Sequence, residues 1–454
     1  MNHSSALRTV KSLQAAAIVA LASGSATASA QATIPIRQLT LAEAVSRETI
    51  AGVNGVHELS NGDVLVNDAG NRRVIVFDRT LSTFRTVADS SVKTRNMYGK
   101  RPTLIVPYVG DSTLLVDVGA RAFLVMSPAG TVTRVMSPPR PNDLGFMGGA
   151  GFGQPAFDAA GRLVYRTMIM PGVTAPVAGK PFVPPTMPDS SPVLRGDFDS
   201  RTADTLTWVR VPKMRLTTTP SAGGGVSISP VVNPLANIDD WALLPDGTLA
   251  VLRGQDYHID WFTPEGRKQS SPKIPFDWKR LTDDEKNAIV DSTKKEVAKL
   301  ALAGDASSLT AAAHGGDVGG RGGGGGRGGH GLTIMPITPG DGSPAPQASM
   351  GNNASIPAVP EVAPASDLPD YMPPVIRSGL MKADAAGNVW ILPSTSSQSG
   401  GGLLYDVINR NGEVFQRVRV PLGRALAGFG ANGAIYLTSH NNGTAVLERA
   451  RIQH

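Results

Sequence analysis

The densest concentration of chemistry-bearing residues is Arg253-Gly254-Gln255-Asp256-Tyr257-His258-Ile259-Asp260-Trp261. A histidine beside carboxylates can act as a general base or a metal ligand, which makes His258, Asp256 and Asp260 the catalytic candidates. Strand alternation would put His258 and Asp260 on one side and Ile259 on the other. An ordinary half-exposed strand has the same pattern, and that plainer reading is favoured.

A second set of residues repeats along the chain. Asp68 precedes Arg72 and Arg73, and Asp117 precedes Arg121, each carboxylate closing an apolar run. Together with Arg166, Arg253, His440 and Asn441 they could ring a small polar ligand, because guanidinium forks suit carboxylate or phosphate. The competing explanation is internal stapling, with each Asp accepting turn amides and each Arg pairing beside it. Stapling is preferred. Gly149-Ala150-Gly151-Phe152-Gly153 lacks the Lys-Thr pair and the helix of a nucleotide loop, and no Gly-x-Ser-x-Gly elbow is present.

The elements that must position these residues are announced by turns. Asn61-Gly62, Gly110-Asp111, Ala160-Gly161, Asp246-Gly247, Ala386-Gly387 and Asn432-Gly433 each precede a short alternating apolar run such as Asp63-Val64-Leu65-Val66. The compact intervals are roughly 50 residues, a repeat period typical of blades in radial arrays. Each unit is a small antiparallel meander that cannot bury its faces alone. Six copies stacked about an axis give an all-β, six-bladed β-propeller with four-stranded antiparallel blades.

Two intervals, Gly161 to Gly247 and Gly247 to Gly387, are too long for one repeat and must hold insertions. The third blade carries a Pro-rich loop from Met168 to Pro192, and Thr217 to Pro234 reads as a loop to the next blade. Between blades four and five lies a partly helical, Gly/Pro-rich insertion over 275–372. Its helix, about 282–302, opens on the capping box Thr282-Asp283-Asp284-Glu285, and Ile289, Thr293, Val297 and Leu300 share one face. Residues 305–365, with the Gly-rich run around Arg321 and Arg327, read as flexible. The last blade is one strand short. The N-terminal strand Ile36–Leu41, placed beside Thr444–Ile452, would close the ring.

The first thirty residues combine a basic start (Arg8, Lys11), an apolar stretch from Ala15 to Ala22 and the small-residue pattern Ala28-Ser29-Ala30. That is an export signal cleaved near Ala30, and it predicts a periplasmic or secreted protein, with 31–454 as the propeller. The chain contains 0 cysteines, so stability must come from core burial. A net charge of +6 is too mild to argue for nucleic acid, and no apolar run is long enough to span a bilayer.

At Asn67-Asp68-Ala69-Gly70-Asn71-Arg72-Arg73-Val74-Ile75-Val76-Phe77-Asp78 the chain resembles the NHL-type repeat, and the ring as a whole is similar to exported bacterial propellers of the NHL-repeat or TolB-like type. Asp117, Arg121 and Phe123-Leu124-Val125 form a looser copy. Similar rings include binding scaffolds, lactonases and lyases, so the resemblance implies the framework and not the reaction. Metal-dependent lactonases of this shape gather oxygen ligands at inner strand starts. Here that implies only Asp240, beside Asp239, and Glu58 as metal candidates. The expectation is therefore a monomeric propeller that binds a small polar ligand or protein partner through its loop-rich face, with no cofactor and no catalysis of its own. The alternative is a metal-dependent, lactonase-like hydrolase or a lyase, with a divalent cation.

Overall fold

Every residue of Val64–Asp68 is buried, because the strand is covered on both faces. Val64 and Val66 join one core cluster and Leu65 another. This double burial is the key to the architecture seen in the computed structural model, which describes residues 34–90, 102–147, 150–169, 171, 183–220, 226–302, 360–396, 400–441 and 444–453. Residues 1–33, which hold the expected export signal, and most of the expected flexible segment lie outside the described residues.

Pro35–His454 is a compact unit. It contains successive four-stranded antiparallel sheets over 53–89, 102–136, 156–210, 240–270, 382–421 and 424–450, the fifth of which gains one extra strand and the sixth of which takes its fourth strand from Ala44–Val45. Six apolar clusters are shared pairwise by neighbours: first with second, second with third, and so on around. The last cluster joins the sixth sheet back to the first through Tyr436, Leu447, Val56 and Phe77. This all-β arrangement is consistent with a propeller. Each strand's two side-chain rows serve different neighbours, so removing one sheet would expose apolar surface on two others.

The N-terminal closure differs from expectation. Ile36–Gln38 does not lie beside Thr444–Ile452 but runs parallel to Arg417–Arg419 at the outer edge of the fifth sheet. Leu39 makes a single bridge to Ile452, and Ala44–Val45 pairs with Glu448 and Arg449 to complete the sixth sheet. The cause is Leu39, which is buried in the cluster between the fifth and sixth sheets. Anchoring that side chain between two sheets directs the residues before it onto one sheet and those after it onto the other.

The stretch Thr217 to Pro234, expected as a loop, is largely a hairpin. Arg215–Pro220 pairs with Val226–Val232, and Glu361–Val362 joins in parallel. Its threonines, valines and isoleucine are residues that suit a pleated surface. The helix Asp283–Leu302 starts where its capping box dictates: the Thr282 amide donates to Glu285 at 2.9 Å and the Glu285 amide to Thr282 Oγ1 at 3.3 Å. Its buried residues are Lys286, Val290 and Val297. The expected face, Ile289, Thr293, Val297 and Leu300, is buried or half-buried, and it is widened by Val290 and by Lys286, whose ammonium meets Asp370 at 2.8 Å. Among the described residues no helix is long and apolar enough to cross a membrane.

Candidate active site

The second strands of the first four sheets end on Asp68, Asp117, Arg166 and Arg253. Three of these four positions tie the scaffold together. Asp68 accepts from the Ala51 amide, Asn71 and Arg73, and Arg73 also reaches Glu48 at 2.7 Å. Asp117 accepts the Ala120 amide at 2.9 Å, while Arg121 stands exposed at a left-handed turn position with φ 53. Arg253 binds Asp260 at 2.7 Å, Asp239 at 2.8 Å and the Trp208 carbonyl at 2.8 Å. Burial opposes its charge, but these partners outweigh that and raise its pKa.

His258 Nε2 lies 3.4 Å from Asp260, whose oxygens already take Arg253, Ser270 and Lys268. Burial would raise the Asp260 carboxyl, but those hydrogen bonds hold it at about 2. Asp260 is thus a locked anion rather than a base with a free proton site. Asp256 is exposed, 3.5 Å from Lys273. His440 is exposed at the end of the second strand of the sixth sheet, and the Asn441 side chain lies outside the described residues.

Arg166 behaves differently. It is 2% exposed, its Nη1 sits 3.4 Å from Ser378 Oγ, its Nη2 donates to the Gly151 carbonyl, and its guanidinium lies 4.7 Å over the Phe152 ring. No carboxylate forms an ion pair with it, and its Nε has no partner among the described residues. Burial pulls its pKa down to about 10, against the charge of Asp240. It remains a cation at neutral pH, with no counter-ion in contact among the described residues.

Asp240 opens the innermost strand of the fourth sheet and is 1% exposed. Its carboxylate accepts the amides of Trp241, Gly379, Leu380 and Met381 at 2.8–2.9 Å and faces Ser378 Oγ at 3.4 Å. Burial raises its pKa in spite of those amides and the Arg166 charge. These bonds fix the backbone leading into Lys382, the first residue of the innermost strand of the fifth sheet. Burial lowers the Lys382 pKa and the Asp240 charge only partly offsets this. The amine keeps some contact with solvent and lies 3.5 Å from exposed Gln154. Three sheets thus converge on one carboxylate flanked by two cations, neither of which has a carboxylate in contact among the described residues.

The metal candidates do not fit a divalent ion. The Asp240 oxygens are taken by backbone amides, Glu58 accepts from the Tyr436 hydroxyl at 2.7 Å, and no group of three or more His, Cys, Asp or Glu side chains suited to a metal occurs among the described residues. Lys382 and Gln154 escaped the sequence reading. The available signal was a lone lysine inside the inner-strand run Met381-Lys382-Ala383, where both faces are expected to be apolar.

No family model matches the chain, and no curated protein matches it. Among solved structures, a gluconolactonase from Xanthomonas campestris is 10% identical, covering 91% of this chain and 89% of that one, with a TM-score of 0.39. A virginiamycin B lyase from Staphylococcus aureus is 9% identical over 90% and 99% of the two chains, with a TM-score of 0.37. A luciferin-regenerating enzyme is 10% identical over 90% and 94%, with a TM-score of 0.36. These are enzymes, and the expectation of a propeller with no catalysis of its own is corrected on that finding. Values this low say nothing of the substrate or the residues of this chain, which have to be argued from its own site.

Proposed function

We propose that this chain is a six-bladed propeller enzyme of the lyase class, using Lys382 as a general base and Arg166 as the group that receives negative charge. The observation that carries this reading is the convergence of Arg166 and Lys382 on Asp240 with no carboxylate among the described residues in contact with either cation. A lysine amine whose pKa is lowered by burial spends more of its time neutral, as a base requires. A guanidinium without an ion-pair partner can stabilise an oxyanion without first breaking a salt bridge.

The reaction supported best is elimination beside a carbonyl. The neutral Lys382 amine takes a proton from the carbon next to the carbonyl, the electrons move onto the carbonyl oxygen facing Arg166, and the resulting enolate expels the β-oxygen. The proton on Lys382 then passes to that leaving oxygen. Asp240 holds the Ser378–Met381 backbone that positions Lys382 and takes no part in proton transfer. The donor set supports no divalent ion, so no step passes through one.

Screening lactones and β-acyloxy carbonyl compounds in water enriched in oxygen-18 tests this. Elimination gives an unsaturated product free of the label, and Lys382→Met lowers turnover by about 10²–10⁴-fold, the usual worth of a general base. Labelled product would show hydrolysis and overturn the lyase reading. The leader in the first thirty residues supports work outside the cytoplasm. Mass measurement of the exported chain is expected to find an N-terminus at Gln31, and an intact leader would overturn the compartment.

A further inference from the structure

We infer that the recess beside Arg166 is a subsite for a short aliphatic carboxylate or carbonyl limb of the substrate. It is lined by Arg166, Phe152, Met168, Met187, Met214, Ser191 and their neighbours, and its free volume is about 20 Å³, close to that of a single water. The polar atoms around it are unusual. Arg166 Nε and Ser191 Oγ, both on lining residues, are buried without hydrogen-bond partners among the described residues. Two such atoms lining one recess would each lose free energy unless something polar met them.

Apart from Ser190 the remainder of the lining is apolar, and that selects the occupant. A hydrated inorganic anion would leave its shell against thioethers and a ring. An oxygen at the end of a short hydrocarbon chain instead places its polar end on the guanidinium and Ser191 and its methylenes on the methionines. Methionine is unbranched and adapts its shape readily, so this recess can widen for a few carbons where a leucine-lined one would resist. The two faces of the Arg166 guanidinium then have separate work. Its Nη atoms are anchored by the Gly151 carbonyl and Ser378, and its Nε is left for the ligand.

This inference rests on the lyase reading for its meaning but not for its test. The probes are acetate, butyrate and hexanoate, each with its uncharged primary amide, added to the full chain and followed by calorimetry and thermal unfolding. The expected result is saturable binding of butyrate, at least about tenfold tighter than butyramide, as a charge-assisted bond implies. Ser191→Ala is expected to weaken butyrate severalfold, and Arg166→Met to abolish its preference over the amide. Met187→Phe, a variant that keeps Arg166, is expected to shift the preferred chain toward acetate, which guards against misfolding of the arginine variant. Equal binding of acid and amide, or a chain-length preference unmoved by Met187→Phe, overturns the subsite. Carboxylate binding without turnover of any ester would sink the lyase reading and leave the subsite standing.

Discussion

Arg166 and Arg253 hold the same place on consecutive sheets, the last residue of the second strand, yet their surroundings are opposite. Arg253 is met by two carboxylates and a carbonyl, and its pKa is raised. Arg166 is met by a hydroxyl, a carbonyl and a ring, and burial lowers its pKa to about 10. The first arginine spends its charge on joining strands of the fourth sheet to the loop ahead of it. The second is held in place by neutral groups, so its charge remains available. A repeated fold can therefore leave one of its strand-end arginines without the carboxylates that make another a staple.

The largest effect that would sharpen this contrast is on turnover. Lys382→Met is expected to lower it by about 10²–10⁴-fold, whereas Arg253→Met leaves it within a few fold once the protein is folded. Comparable losses in both would erase the distinction. Stability should show the reverse order. Arg253→Met strands the buried Asp239 and Asp260 carboxylates and should cost about 3 kcal/mol in urea unfolding. Arg166→Met leaves Asp240 with its backbone amides and should cost markedly less, and an equal loss would class Arg166 as another staple.

Acid provides a finer test. The Asp260 carboxyl is held at about 2, below its ordinary value of 3.8, so its contribution to stability is present above the ordinary value and is lost as pH falls toward 2. Unfolding midpoints between about pH 4 and pH 2 should fall less steeply in Arg253→Met than in the parent. An unchanged slope would show that Arg253 is not what holds that proton off. The smallest expected effect is that of a chelator. Because the Asp240 oxygens are occupied by amides, EDTA should leave both midpoint and turnover unchanged. A loss restored by one divalent ion would reverse the metal-free assignment.

Turn dipeptides and alternation made the sheets legible because glycine at positive φ is demanded at those turns: Gly62, Gly161, Gly247 and Gly387 all lie between φ 75 and 85. The hairpin within 215–232 was hidden by its glycine triplet, and the path of the N-terminus by a single buried leucine. The site was harder to read. Arg166 was visible as a strand-end charge, but sequence order gives no hint that residues near 151, 240 and 378 meet it, with Arg166 and Ser378 separated by 212 positions. The Asp-Arg spacings that looked most like a binding ring were the most local ones, and local partners consume them.

The stitching of the sixth sheet has a consequence for the order of assembly. The Ser46 hydroxyl accepts from the Leu447 amide across 401 positions, and Ala44–Val45 pairs with Glu448 and Arg449. Contacts between segments so distant form late, after the intervening chain has found its own local pairings. Residues 44 and 45 leave the ribosome about 400 positions ahead of their partners, and must wait unpaired until those partners have been made before the sixth sheet can be completed.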